Sequence, residues 1–421
     1  MSIAQHLRTR LVVVAGWLAP AGAAAQVHHH QAAPPTPLDL PMARDASGTS
    51  WQPDTTPMFM WQWLAGDWAF NLHANVYAGF VDASSDRGAH RFAGINWVMF
   101  AARHAMGDGG ADLTLRTMLS LEPLTVGAAG YPLLLQTGES AGGVPLHDRQ
   151  HPHDLLMELA VRARVPVADA AAVELYVAPS GEPAIGPPAF PHRFVGMFDP
   201  LAPLGHHWQD STHISFGVVT AGVFTRRWKL EGSWFNGREP DEDRFDLDLR
   251  APDSFAARLT VNPTDATSAQ VSWARLDSPE QLEPAVAIRR TTASAAWNHA
   301  GELGVLAVYG RNDPSAGPST GAGLVEAALV LAPEHTVFGR VELLEKTGHD
   351  LALPAALADR TFGMAGFSAG YVYDAVRLGD LVPGIGIVAT VNAIGDGLAP
   401  FYGTRAPWGG MVFVRIRAPE M

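Results

Sequence analysis

The sequence predicts an all-β protein: a transmembrane, antiparallel, up-and-down β-barrel of about sixteen strands, with long outer loops and short periplasmic turns. Three observations predict it. From Trp68 onward apolar residues recur with a period of two and no sustained 3.6-residue period appears. The alternate positions carry charges of both signs while the apolar positions are almost free of charge, which suits a wet lumen and a lipid exterior. Third, the connections between candidate strands alternate long and short, and an even strand count brings both ends of the barrel to one side.

Composition narrows the remaining classes. The chain has 421 residues, 47% hydrophobic and 17% charged, a formal charge of −13 and no Cys. An acidic balance argues against nucleic acid as a partner, which calls for a basic face. Without Cys there are no disulfides, thiolate metal sites or cysteine nucleophiles. The hydrophobic share is too high for a disordered chain.

In chain order, residues 1–25 read as a cleaved signal peptide. Arg8 and Arg10 give a positive start, Leu11–Leu18 is an apolar run too short to span a bilayer, and Ala23-Ala24-Ala25 is a small-residue cleavage site. Residues 26–66, with His28-His29-His30 and Pro34-Pro35, read as a flexible periplasmic linker before a barrel over 67–421. Barrel strands then follow by parity. Trp68, Phe70, Leu72, Val76 and Phe80 oppose Asn71, His73, Asn75 and Tyr77; Leu113, Leu115 and Leu119 oppose Asp112, Thr114 and Arg116. Leu155, Met157, Leu159, Val161 and Val165 oppose Glu158, Arg162 and Arg164; Trp228, Leu230 and Trp234 oppose Lys229, Glu231 and Ser233. Phe255, Leu259 and Val261 oppose Arg258, Thr260 and Asn262, and the alternation continues to Val412, Val414 and Ile416. Long connections are expected at about 81–91, 123–153, 179–212, 237–254, 276–285, 311–321, 346–360 and 394–407. Parity points Arg116, Arg162, Arg164, Arg258, Arg340, Glu158, Glu174, Lys229, Glu231, Glu326 and Glu342 into the lumen. Trp68, Trp97, Trp228, Trp234, Trp297, Phe362, Tyr371, Tyr373 and Trp408 are expected in aromatic girdles.

The densest chemistry lies in two loops on the outer side. One holds His147, Asp148, Arg149, His151, His153 and Asp154; the other holds His192, Arg193, His206, His207, Asp210 and His213. With Cys absent, imidazole and carboxylate are the strong transition-metal ligands available, and they suit zinc, copper(II), nickel or non-haem iron. His151-Pro152-His153 places two imidazoles on one side of an extended segment. The candidate metal ligands are His147, His151, His153, Asp154, His192, His206, His207, Asp210 and His213, with copper or zinc as the candidate ion. Two other readings stand beside this one. The same residues suit a hydrogen-bonded plug that satisfies loop backbone groups. A hydrolase would use Ser211 or Thr212 beside His207 and His213, Ser140 beside His147, or a water activated by Asp148, Asp154 and His153.

Four phrases of the chain, Ser50–Met58, Leu119–Thr125, His147–Asp154 and Leu204–His213, resemble an uncharacterised group of secreted bacterial proteins described as predicted outer-membrane barrels. The resemblance implies the same fold and carries no activity, ligand or catalytic residue. Taken together, these readings lead to the expectation of an outer-membrane channel or uptake barrel for small polar solutes or metal ions, in contact with lipid, with the two His-rich loops at its mouth. A rim hydrolase and a closed structural or adhesion barrel are the alternatives.

Overall fold

The computed structural model describes residues 34–107 and 109–421. Its strands are β1 (Met60–Ala65), β2 (Trp68–Ser84), β3 (Ala89–Met106), β4 (Ala111–Leu119), β5 (Tyr131–Ala141), β6 (Val144–Gln150), β7 (Leu156–Ala168), β8 (Ala171–Gly181), β9 (Ser215–Phe224) and β10 (Trp228–Asn236). They continue as β11 (Ser254–Thr264), β12 (Thr267–Leu276), β13 (Ile288–His299), β14 (Leu303–Pro314), β15 (Thr320–Ala332), β16 (His335–Thr347), β17 (Thr361–Asp374), β18 (Val382–Ile394) and β19 (Trp408–Arg417). Sixteen of these, β2–β4 and β7–β19, form a closed antiparallel barrel. Closure is made by β19 on β2, from Trp408 opposite Ser84 to Arg417 opposite Asn75. Where β19 ends, β1 takes over its place against β2, with Met60 opposite His73. β5 and β6 form a separate hairpin inside the long connection from β4 to β7.

The expected asymmetry of the connections is present. Residues 120–155 and 182–214 join strands at one end, whereas 169–170, 265–266 and 333–334 are two-residue turns at the other. Two expected long connections are short instead: 81–91 and 311–321 are mostly strand, and only 85–88 links β2 to β3 and 315–319 links β14 to β15. Val81 and Ala83 keep the alternation going, as buried neighbours of exposed Phe80.

Polarity is inverted relative to a soluble sheet. On β10, Lys229, Glu231 and Ser233 are buried while Trp228, Leu230 and Trp234 are exposed; on β11, Arg258, Thr260 and Asn262 are buried while Phe255, Leu259 and Val261 are exposed. Every charged residue that parity placed in the lumen is buried. Such burial needs partners, and the wall supplies them: Glu231 lies 3.2 Å from Lys229 and 3.1 Å from Arg258. Of the expected girdle residues, Trp228, Trp234, Trp297, Tyr371, Tyr373 and Trp408 face outward, but Trp97 and Phe362 are buried inside. Met157 is also inside rather than on the apolar face, because the register between β4 and β7 shifts at Met118 and Leu119.

The largest correction concerns the expected linker. The stretch 1–33, with the expected signal peptide and His28–His30, lies outside the described residues. From residue 34 the chain does not behave as a linker. Leu40, Arg44, Ser47, Thr49, Ser50 and Trp51 are buried, and the segment lies against inward-facing wall residues. Arg116 donates to Gly48 O (2.5 Å), Asn262 donates to Gln52 O (2.9 Å), and Lys229 donates to Thr49 O. Its low apolar content reads as a linker, yet a polar segment is what a charged lumen accepts. The two long loops also enter the lumen, where their Phe190, Phe194, Phe198 and Trp208 form an apolar core with wall residues such as Trp97, Phe338 and Phe413.

Candidate metal centre

The His-rich loops enter the lumen through short local structures that aim individual imidazoles. A helical turn at His206–Gln209 sets His206 and Asp210 four residues apart on one face. A following 3-10 turn at Ser211–His213 swings His213 back, so that its Nδ1 donates to Asp210 O (2.8 Å). The β5–β6 hairpin returns the chain to the extended His151–His153 stretch. Leu135, Glu139 and Asp148 in this hairpin have positive φ, a strain that functional loops often carry. Gly138 also has positive φ, and a Cβ there would meet the His207 ring at 2.1 Å, so this position needs glycine.

Four imidazoles turn Nδ1 toward a carboxyl group, three of them through a hydrogen bond. Nδ1 of His151 faces Glu139 (3.1 Å), that of His153 faces Glu122 (3.0 Å), that of His206 faces Asp210 (2.9 Å), and that of His207 faces Glu239 (3.2 Å). A carboxylate only accepts, so His153, His206 and His207 carry the proton on Nδ1; His151 Nδ1 lies 3.4 Å from Pro152 O, also an acceptor, so in all four Nε2 presents its lone pair. Nε2 of all four, and of His213, is buried with no hydrogen-bond partner among the described residues. Leaving one buried acceptor unpaired costs about 1–3 kcal/mol. Here five gather in one place: ring centroids are 5.5 Å apart for His151 and His207, and 5.2 Å apart for His206–His207, His206–His213 and His153–His213. His151, His206 and His207 each bring a ligand nitrogen within 4.8 Å of the other two. A small inward movement would bring them to the metal–nitrogen distance of about 2.0–2.1 Å.

Carboxylate–imidazole pairing is the outer arrangement that orients histidine ligands and raises their basicity. Electrostatics point the same way. Glu122, Glu139, Asp154, Asp210 and Glu239 surround the imidazoles, against the guanidiniums of Arg193, Arg244 and Arg290. Carboxyl groups outnumber guanidiniums around these rings, which favours a cation there. Burial pushes Glu139 up to about 8 and Asp154 up to about 6 against the pull of Arg244, and a buried cation would relieve that penalty. Burial, joined by neighbouring imidazoles, holds His151 and His213 well below the ordinary histidine value; burial also lowers His206, with Asp210 opposing. His151, His206 and His213 therefore stay neutral, the form that binds metal.

Not every expected ligand joins this group. His147 stays on the hairpin opposite Thr137. Asp154 is bound by Arg244 (3.1 Å) rather than aimed at the imidazoles. Asp210 is an organiser: besides His206 it accepts from Arg193 (2.7 Å) and from the Phe190 amide (2.7 Å). His192 lies elsewhere, with Nε2 3.2 Å from Met118 Sδ. The sequence reading did not single out Glu122, Glu139 and Glu239 as site residues, since each is far in sequence from the imidazole it holds. The elements of a hydrolase are not assembled. Ser211 Oγ accepts from Arg290 (2.9 Å) and Ser140 donates to Glu242 (2.7 Å). Asp148 is held by Arg87 (2.7 Å) and Tyr402 (2.9 Å), while His153 is paired with Glu122.

Above the imidazoles, on the long-loop side, a cavity of 340 Å³ is lined by His207, Glu139, Glu280, Glu283, Asp350 and Asp359. A mouth lined by carboxylates focuses a negative potential that draws cations.

No protein-family model matches the chain, and no curated protein matches it. Among solved structures, an anion-selective porin from Comamonas acidovorans is 10% identical, with a TM-score of 0.51, covering 83% of this chain and 99% of that one. OmpF of Salmonella typhi, solved in complex with daunomycin, is 9% identical, with a TM-score of 0.52, covering 85% of this chain and all of that one. At such identities the likeness is one of architecture: this chain has the barrel fold of the porins.

Proposed function

We propose that the protein is an outer-membrane uptake barrel for a divalent transition-metal ion, zinc or copper(II), with the loop imidazoles as its binding centre. The observation that carries this reading is the convergence of buried Nε2 atoms, unpartnered among the described residues, whose Nδ1 atoms are held by carboxylates in His153, His206 and His207 and by a backbone carbonyl in His151. The carboxylate-lined cavity serves as the mouth through which a cation enters. Apolar residues around the barrel exterior provide the lipid contact, and export by a signal peptide over 1–25 belongs to the same reading. Because the N-terminal segment and the loops occupy the lumen, passage proceeds by exchange between ligands rather than by diffusion through an open pore.

The test is elemental analysis of the protein purified from membranes in mild detergent, beside a His151→Ala/His153→Ala variant, followed by zinc uptake into proteoliposomes. Near-stoichiometric metal in the native protein, lost in the variant together with uptake, is expected. No metal in either protein, and uptake indifferent to the substitutions, sinks the reading and leaves the loops as a plug.

A further inference from the structure

The expected ligand that fell outside the centre, His192, belongs to a different constellation. On the short-turn half of the barrel, cross-strand pairing places Met60 opposite His73, His73 opposite Met99, and Met99 opposite Met118. Directly opposed residues point to the same face of a sheet, so three thioethers and one imidazole form a row across β1–β4. His192 closes the row from the lumen side, with Nε2 3.2 Å from Met118 Sδ and its ring 6.1 Å from that of His73. Nε2 of His73 is buried without a partner among the described residues. A cavity of 120 Å³ is lined by Met60, Met99, Met197, His73 and His192. Methionine is an ordinary gap-filler of apolar cores. An apolar core, however, does not call for two imidazoles among these methionines, one with an unpartnered nitrogen and the other 3.2 Å from a sulfur.

We propose that this constellation is a second metal site, built from His73, His192 and the sulfurs of Met99 and Met118, and selective for a soft monovalent cation of the copper(I) class. Thioether and imidazole are the donors such ions prefer, whereas zinc and copper(II) prefer the imidazole and carboxylate set of the outer centre. The surroundings add a second reason. Arg103, Arg116 and Arg162 line the same cavity, and Asp45 is already held there by Arg162 (2.7 Å) and by Arg164 (3.1 Å). Positive surroundings penalise a divalent ion about twice as much as a monovalent one.

Silver(I) is the probe, because it shares the donor preference and has no redox chemistry under the assay. Full-length detergent-purified protein is titrated in chloride-free buffer, with zinc titrated in parallel. One tightly bound silver ion with sulfur in its X-ray absorption shell is expected. The Met99→Leu/Met118→Leu variant, close in volume to the native pair, should weaken silver binding by about tenfold or more and leave zinc binding unchanged. His206→Ala/His207→Ala should do the reverse, so failure of the outer centre and failure of this site are read separately. Silver bound through nitrogen alone, silver affinity unchanged by the methionine substitutions, or silver lost with His206 and His207 overturns the proposal. The absorption shell of the native protein decides the case if the methionine variant misfolds.

Discussion

The N-terminal segment and the two His-rich loops both fill the lumen, and they treat their polar partners in opposite ways. The segment works mainly by pairing, although Arg116 Nε, Arg162 Nε and Asn262 Oδ1 beside it find no partner among the described residues. Arg116 ends on Glu158 (2.7 Å) and Gly48 O, and Arg258 on Glu231 and Thr49 Oγ1 (3.0 Å), while Asp45 accepts from Arg162 and Arg164. Trp51 lies beneath both Arg44 and Lys229, 5.0 Å from each. Backbone carbonyls of the segment receive wall cations that the wall's own carboxylates do not fully satisfy. The loops, by contrast, fix Nδ1 of the five clustered imidazoles and leave Nε2 without a partner among the described residues. Buried polarity that closes on itself is structure; buried polarity that stops one bond short in the same place is what the proposed metal centre rests on.

The contrast is broken most forcefully at Asp45. Burial pushes its carboxyl up, but Arg162 and Arg164 outweigh burial and hold it well below the usual carboxylate range. Asp45→Asn leaves two buried guanidiniums short of a counter-charge, a change that costs about 3–5 kcal/mol in buried pairs. The low end is expected, since Arg164 keeps Asp112 at 2.6 Å. Denaturant unfolding in detergent should show the loss while zinc stoichiometry stays intact. A variant that unfolds normally but loses zinc would mean that the segment, not the loops, organises the centre.

The sequence made the wall legible and the filling only partly so. Period-two alternation is a local signal, so the sixteen strands, the long and short connections and the inward charges from Arg116 to Glu342 could be read directly. The imidazoles stood out because they cluster in sequence. Their carboxylate partners did not: Glu122 and Glu239 sit 31 and 32 residues from His153 and His207, and such pairing is set by how loops fold into a cylinder. The N-terminal segment failed for a related reason. Polar composition signals solvent only when the protein interior is apolar, and the interior here is charged. His192 was grouped with its loop neighbours, whereas the row of Met60, His73, Met99 and Met118 emerges only once the strand registers are known.

A sharper form of the comparison is the partner of a single imidazole. Glu239 holds His207 Nδ1, and the pull of His207 brings its carboxyl down to about 2 although burial raises it. Glu239→Gln keeps the shape but gives Nδ1 a neutral acceptor. Removing such an outer partner typically costs about 10–100-fold in metal affinity. Competition titration against a zinc chelator should find a loss in that range with little change in unfolding. An unchanged affinity would show that the imidazoles do not need their carboxylates, and the orienting role assigned to them would fall.

The smallest effect tests pairing on the segment's side through pH. Glu182, just past β8, packs against Gly48, whose positive φ leaves no room for a Cβ: one would sit 2.7 Å from Glu182 Cβ. Burial pushes the Glu182 carboxyl up to about 8, with Arg258 and a hydrogen bond from Ser47 opposing. A carboxyl whose folded value lies above its unfolded value contributes stability that is complete below the unfolded value, about 4.5, and is lost as pH rises through 8. Melting temperature should therefore fall by a few degrees between about pH 5.5 and pH 8.5, an interval that covers most of that loss. Glu182→Gln, which has no proton to lose, should flatten this part of the profile and melt higher than the native protein at the alkaline end. If both proteins melt alike across the interval, Glu182 exchanges freely with water, and the seat of the N-terminal segment is wetter than its burial implies.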